Sequence, residues 1–121
     1  MSNKKTKSQA SKKPLISVVV PAFNEAENVK NLATEIAEAL AFISYEMIFI
    51  DDASTDETKA VLIGMKARFT SLRVLSHRQN SGQSRGVRSG VRAARADIIA
   101  TLDSDGPVSY THLTLPTTPY V

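Results

Sequence analysis

The sequence predicts an α/β domain built on a parallel sheet, and three observations carry that prediction. Short apolar, β-branched runs recur along the 121 residues, and stretches with helical spacing stand between them. The resulting order, β-α-β-α-β-α-β with short connections, suits parallel strands joined by crossover helices. Acidic residues gather directly after three of the four strand-like runs, at the sheet edge where ligands bind in such folds.

Leu15-Ile16-Ser17-Val18-Val19-Val20 is apolar almost throughout, as a strand buried on both faces must be. Pro21 is expected to end it, because proline cannot donate to a ladder. After Ala22-Phe23-Asn24-Glu25, the residues Val29, Leu32, Ala33, Ile36, Ala37 and Leu40 form one stripe at spacings of three and four. Asn24 is the expected N-cap of that helix, with Glu27 as the carboxylate of a capping box. Glu46-Met47-Ile48-Phe49-Ile50 reads as the second strand and runs into Asp51-Asp52-Ala53-Ser54-Thr55-Asp56. Ser54 is the expected cap of the next helix, with Glu57 three positions on. Thr58, Val61, Leu62, Met65 and Phe69 mark its buried side. Arg73-Val74-Leu75-Ser76 is a third short strand, followed by a polar loop from His77 to Gly82.

The spacing predicts a third helix over 83–96. Val87, Gly90, Val91 and Ala94 fall on one side of it, and Arg85, Arg88, Arg92 and Arg95 on the other. Gly86 and Gly90 weaken the helix, which points to close packing against the sheet. Ile98-Ile99-Ala100-Thr101-Leu102 is the fourth strand, and Asp103-Ser104-Asp105 follows it.

At 42% hydrophobic and 22% charged residues, the composition is globular, and the length fits one domain. The absence of cysteine excludes a disulfide framework and a thiolate metal site. No apolar run approaches the ~20 residues of a membrane span. The basic N-terminus lacks the apolar core of a secretory signal, so a cytoplasmic location is expected. The net charge of +3 is unevenly spread, because residues 1–13 hold five lysines and no acid. That stretch reads as a disordered basic tail, with a tether to anionic lipid or nucleic acid as the functional alternative. Residues 14–106 form the expected domain. From Pro107 to Val121 there is no charged residue and no helical period. Residues 107–121 read as foreign to the domain and resemble translated adapter sequence; a native edge strand or a disordered tail are the alternatives.

On a parallel sheet, Asn24-Glu25, Asp51-Asp52 and Asp103-Ser104-Asp105 converge on one edge. Two aspartates one residue apart repel, and a cation between them or bridging them to phosphate relieves this. A plain polar turn through Gly106 is the competing reading. Carboxylates bind hard cations and also accept the N–H of a base or ribose hydroxyls, so the edge suits a divalent cation, Mg2+ or Mn2+, together with a nucleotide. Residues 59–95 contain nine basic residues and no acid. Within that stretch Arg85 stands at the start of the third helix, where it can face the same edge beside backbone N–H groups. The other arginines of the helix read as a solvated face. The loop over 80–86 lacks the Gly-Lys-Ser/Thr of a P-loop and the spacing of a dinucleotide fingerprint, which argues against both. His77 reads as a satisfied loop histidine. Phe23 fits equally as a stacking surface for a base and as a cover for the first helix.

Together these residues resemble a known family. Val18-Val19-Val20-Pro21-Ala22-Phe23-Asn24-Glu25 looks like the first motif of family 2 glycosyltransferases, which have the GT-A fold, a Rossmann-like nucleotide-sugar-binding sheet. Asp51-Asp52-Ala53-Ser54-Thr55-Asp56 resembles their second motif, Asn80-Ser81-Gly82 their third segment, and Leu102-Asp103-Ser104-Asp105-Gly106 their DXD motif. The order and spacing agree over 14–106, and the branch similar to dolichol-phosphate mannosyltransferase is the nearest in pattern.

The resemblance implies metal-dependent, inverting transfer of a sugar from a UDP- or GDP-linked donor to an acceptor, in this branch a polyprenyl phosphate at the inner membrane face. It implies a nucleotide-sugar pocket formed by Pro21, Ala22, Phe23, Glu25, Asp51, Asp52, Asp103 and Ser104, with Asp103 and Asp105 holding the metal. The family's pattern breaks after Gly106, where Pro107-Val108-Ser109-Tyr110 replaces the usual Gln-Asn-Asp-Pro. The expectation is therefore a sheet truncated after its fourth strand, an inactive donor-site fragment, and a catalytic base in the missing half. A non-catalytic nucleotide-binding module is the alternative. A nucleic-acid binder is a weaker one, since the edge is acidic and only 6% of residues are aromatic.

Overall fold

Ile16–Ala22 (β1) lies at the centre of a sheet, with Tyr45–Asp51 (β2) parallel on one side and Ile98–Thr101 (β4) parallel on the other. The computed structural model describes residues 13–104 and 112–114. Leu72–Ser76 (β3) pairs in parallel with β2, giving the order β3-β2-β1-β4-β5. Three helices connect the parallel strands: α1 (Ala26–Ala39), α2 (Thr58–Met65) and α3 (Gln83–Ala93). The α/β parallel architecture is the one expected.

The sheet nevertheless continues past the fourth strand. His112–Thr114 (β5) pairs antiparallel with β4, so β4 is not an open edge. These three residues lie between Pro107 and Pro116 and carry no proline, so each retains a backbone donor for the ladder. The rest of 105–121, and the basic residues 1–12, lie outside the described residues.

Pro21 does not end β1, which runs on to Ala22 opposite Asp51. The carbonyl of Val19 accepts from Leu102 N–H, whereas that of Ala22 accepts from Asp52 N–H. Pro21, two residues after Val19, therefore turns its nitrogen toward the β4 side, beyond the last β1–β4 pair at Val19 and Thr101. The missing donor costs no ladder bond there.

The two faces of β1 and β2 are covered differently. Val18, Val20, Met47 and Phe49 join Val29, Leu32, Ala33 and Ile36 of α1 and Leu62 and Met65 of α2 in one core. Val19, Ile48, Ile50 and Ile99 meet α3 on the other face. The predicted closeness of α3 is present. A Cβ built on Gly90 would lie 2.3 Å from Val19 Cγ1, and one on Gly86 would lie 2.9 Å from Pro21 Cβ. Arg88 and Arg92 are exposed, as expected of a solvated face, and Arg85, expected to face the carboxyl edge of the sheet, is exposed with them.

Arg95 leaves that face. The helix stops at Ala93 rather than 96, and Ala94 is extended at ψ 139. The reason is a buried carboxylate. Glu46, 1% exposed, accepts Arg95 N–H at 2.7 Å and the Arg95 Nε–H at 3.2 Å. Ser17 Oγ–H donates to it at 2.6 Å and Arg73 at 2.9 Å. Ala96 N–H donates to Ser17 Oγ, and Arg73 also reaches the carbonyl of Ala93 at the helix end. Burial pushes the Glu46 carboxyl up, but the Ser17, Arg95 and Arg73 hydrogen bonds outweigh burial and hold it below its ordinary range. This cluster lies at the starting ends of the strands and fixes α3 against the sheet.

Candidate functional site

At the carboxyl edge, the first two loops are bound to each other. Asn24 has φ 54, a left-handed conformation that asparagine tolerates better than most residues. Its Oδ1 accepts the N–H groups of Thr55 at 2.8 Å and Asp56 at 3.2 Å, while Asn24 N–H donates to Ser54 Oγ. Neither expected helix cap is therefore used. Helix α1 begins after Glu25 with no side-chain cap, and Ser54 stands well before the start of α2. Thr58, at the head of α2, receives Glu25 N–H at its hydroxyl and donates its own N–H to Asp56. The Thr58 bonds hold the Asp56 carboxyl below its usual range.

The third loop grips Asp52. Ser81 N–H donates to Asp52 Oδ1 and Gly82 N–H to Oδ2, each at 2.8 Å. Gly82 sits at φ 92 and ψ 160, a region open essentially to glycine alone, so the Asn80-Ser81-Gly82 turn has a conformational reason for its glycine. His77 completes the cage: Nδ1 stands 2.8 Å from Asp52 Oδ1, and Nε2 stands 2.8 Å from Ser89 Oγ on α3. Burial raises the Asp52 pKa, but the His77, Ser81 and Gly82 hydrogen bonds prevail, and the carboxyl lies below its ordinary value. His77 is thus the satisfied histidine expected, with a partner in the site.

Pro21, Ala22, Phe23, Glu25, Asp52, Gln83, Asp103 and Ser104 line one cavity of about 180 Å³. It opens at the carboxyl ends of β1 and β4, where the strand order reverses direction from the β1–β2–β3 half. Phe23 remains 42% exposed beside it. Seven of the residues expected at the donor site share this cavity. Asp51 does not: it is buried, and its Oδ1 accepts Ser54 N–H at 3.3 Å, bracing the turn through Ala53. Arg85 is exposed and is not among the lining residues. Asp105 lies outside the described residues. Among the described residues, no three His, Cys, Asp or Glu side chains are gathered tightly enough to hold a metal by themselves.

Gln83 was not anticipated in the site. Its Nε2–H donates to Asp103 Oδ1 at 2.6 Å and ties the first residue of α3 to the end of β4. The available signal was position: Gln83 opens the helix after the third strand, two residues nearer the edge than Arg85.

A Rossmann-like sheet with an acidic cavity at its switch point is the architecture of nucleotide-sugar-binding GT-A domains. Residues 17–114 match the family described as glycosyl transferase family 2, and the chain belongs to that family of sugar-transferring enzymes. Dodecaprenyl-phosphate galacturonate synthase of Rhizobium johnstonii is 36% identical over 97 residues, covering 74% of this chain and 28% of that protein. Dolichol-phosphate mannosyltransferase of Pyrococcus furiosus is 30% identical over 90 residues, covering 74% of this chain and 25% of that protein. The chain thus spans little more than a quarter of these relatives. Among solved structures, the mannosyltransferase PcManGT of Pyrobaculum calidifontis, in complex with GDP-Man and Mn2+, superposes with a TM-score of 0.70 at 23% identity, over 78% of this chain and 28% of that one. TarS 1-349 of S. aureus in complex with UDP superposes with a TM-score of 0.65 at 24% identity, over 75% of this chain and 27% of that one. These two show the fold. No helix among the described residues is long and apolar enough to cross a membrane.

Proposed function

We propose that this chain supplies the donor-binding side of a glycosyltransferase that moves a sugar from a nucleoside-diphosphate sugar to a polyprenyl-phosphate acceptor at a membrane surface. The observation that supports this most is the convergence of Phe23, Glu25, Asp52 and Asp103 on one cavity at the switch point. Asp52 is ionised and held for a base N–H, and Phe23 offers a face for stacking. Asp103 and Ser104 stand where ribose and diphosphate would lie. The donor set also fits a hard divalent ion. Magnesium is commonly held by one or two carboxylates plus substrate phosphates, not by an all-protein cage, and Asp103 with Asp105 provides that number. Such an ion, when bound, offsets the charge of the departing diphosphate. None of the residues in this cavity serves as the catalytic base, and transfer proceeds with inversion, as the family resemblance implies.

The test is calorimetric titration of UDP, GDP and their sugar conjugates, with and without Mg2+ or Mn2+, against wild type and Asp103→Ala. Metal-dependent binding that Asp103→Ala weakens at least about tenfold, the value of one charge-assisted contact, is expected. Equal affinity in the variant would remove the metal assignment, and binding indifferent to the cation would favour a non-catalytic nucleotide module.

A further inference from the structure

We propose that His77 is a positioning residue that sets base choice: by occupying Asp52 Oδ1 it leaves that carboxylate one acceptor position, which fits a base edge with a single imide N–H and disfavours guanine. The inference rests on the reading that Asp52 meets the base.

A carboxylate offers about four acceptor positions, two on each oxygen. Among the described residues, Asp52 Oδ1 takes two donors, His77 Nδ1–H and Ser81 N–H, and Oδ2 takes one, Gly82 N–H. Because Asp52 is ionised it can only accept, so Nδ1 must carry the hydrogen in this contact. Ser89 Oγ suits either form of the ring, donating to a bare Nε2 or accepting from a protonated one. The Asp52 side chain is 6% exposed and that of His77 is 17% exposed, so little water competes for these positions.

Guanine presents two adjacent donors, N1–H and N2–H, which together match both oxygens of an open carboxylate. Here Oδ1 has nothing left for the second donor. Uracil presents one N–H between two carbonyls and asks for one acceptor. Cytosine presents an unprotonated ring nitrogen at that position and would be repelled. A site that reads a base by a few buried polar groups discriminates through the partner it leaves unpaired.

The experiment is equilibrium binding of UDP, GDP and CDP to the full chain, in the wild type and in His77→Phe and His77→Asn. Wild type should prefer UDP over GDP by about tenfold, the worth of one hydrogen bond, and bind CDP weakest. His77→Phe frees Oδ1, and the UDP:GDP ratio should fall toward one through a gain in GDP affinity. In His77→Asn an amide N–H replaces Nδ1–H, and the preference should return. Wild-type affinity for GDP equal to or above that for UDP would overturn the inference and leave the donor-site reading intact. So would His77→Phe weakening both nucleotides by the same factor. If His77→Phe does not fold, the wild-type ratio and its retention in His77→Asn decide. Binding of all three nucleotides unaffected by Asp52→Asn would overturn the underlying reading as well.

Discussion

Asn24 Oδ1 accepts the backbone N–H of Thr55 at 2.8 Å across 31 residues of sequence, and this contact joins the loop after β1 to the loop after β2. The side chain does for another loop what a cap does for its own helix. Two properties of Asn24 are in use, its tolerance of φ 54 and its amide. Asn24→Gly keeps the first and loses the second; Asn24→Ala loses both. Asn24→Ala should cost about 2 kcal/mol in urea denaturation and Asn24→Gly about half that, since losing the exposed acceptor shared by the Thr55 and Asp56 N–H groups and straining one residue are each worth roughly 1 kcal/mol. Equal losses would mean that the backbone conformation is not strained.

Most of the fold was legible in the sequence because buried strands and amphipathic helices announce themselves by period. The misreadings share a cause. Asn24, Ser54 and Pro21 were given local roles, cap or terminator, whereas each answers to a neighbour distant in sequence: Thr55, Asn24 and the end of β4. Motif spacing brought out Glu25, Asp52 and Asp103. It did not bring out the His77–Asp52 pair, the Gln83–Asp103 bond or the Glu46 cluster, since hydrogen bonds between loops leave no period behind.

Glu46 is expected to matter for stability and not for the cavity. It sits at the opposite ends of the strands and satisfies Ser17, Arg73 and Arg95 at once. Glu46→Ala leaves the Ser17 hydroxyl and a backbone N–H without their acceptor, and should destabilise by about 2–3 kcal/mol. Arg73 and Arg95 remain partly exposed and can find water, which limits the loss. Chemical denaturation checks the magnitude. Unchanged nucleotide affinity in the folded variant would confirm that the cluster is structural.

The glycines of the helices should respond in opposite directions. Gly64, in α2, has nothing within 4 Å of an added Cβ, so Gly64→Ala should stabilise by about 0.5–1 kcal/mol through helix propensity. At Gly90 the same change drives a Cβ to 2.3 Å from Val19 Cγ1 and 2.9 Å from Ile50 Cδ1. Helix α3 must lift from the sheet, at about 1–3 kcal/mol. Thermal melts of the two variants should bracket the wild type. A stabilising Gly90→Ala would mean that α3 lies farther from β1 than described.

Asp52 should make stability depend on acid. Its folded-state carboxyl lies below the ordinary range because His77, Ser81 and Gly82 favour the charged form over the opposing effect of burial. A depressed carboxyl pKa contributes stability that is complete above the unfolded value, about 3.9, and is lost as pH falls through the folded value. Asp52→Asn removes that contribution and sets an amide N–H against one of the two backbone donors, Ser81 N–H on Oδ1 or Gly82 N–H on Oδ2. At pH 7 the variant should be about 1–3 kcal/mol less stable than wild type. Below pH 4 the gap should begin to narrow as the unfolded chain's carboxyl takes up its proton, and it should close as pH falls through the lower folded value. Melting curves from pH 7 down to pH 3 measure the gap directly, and subtraction removes the acid response of Glu46, which is common to both proteins. A gap constant across that range would mean that the charge on Asp52 is not what holds the 80–82 turn in place.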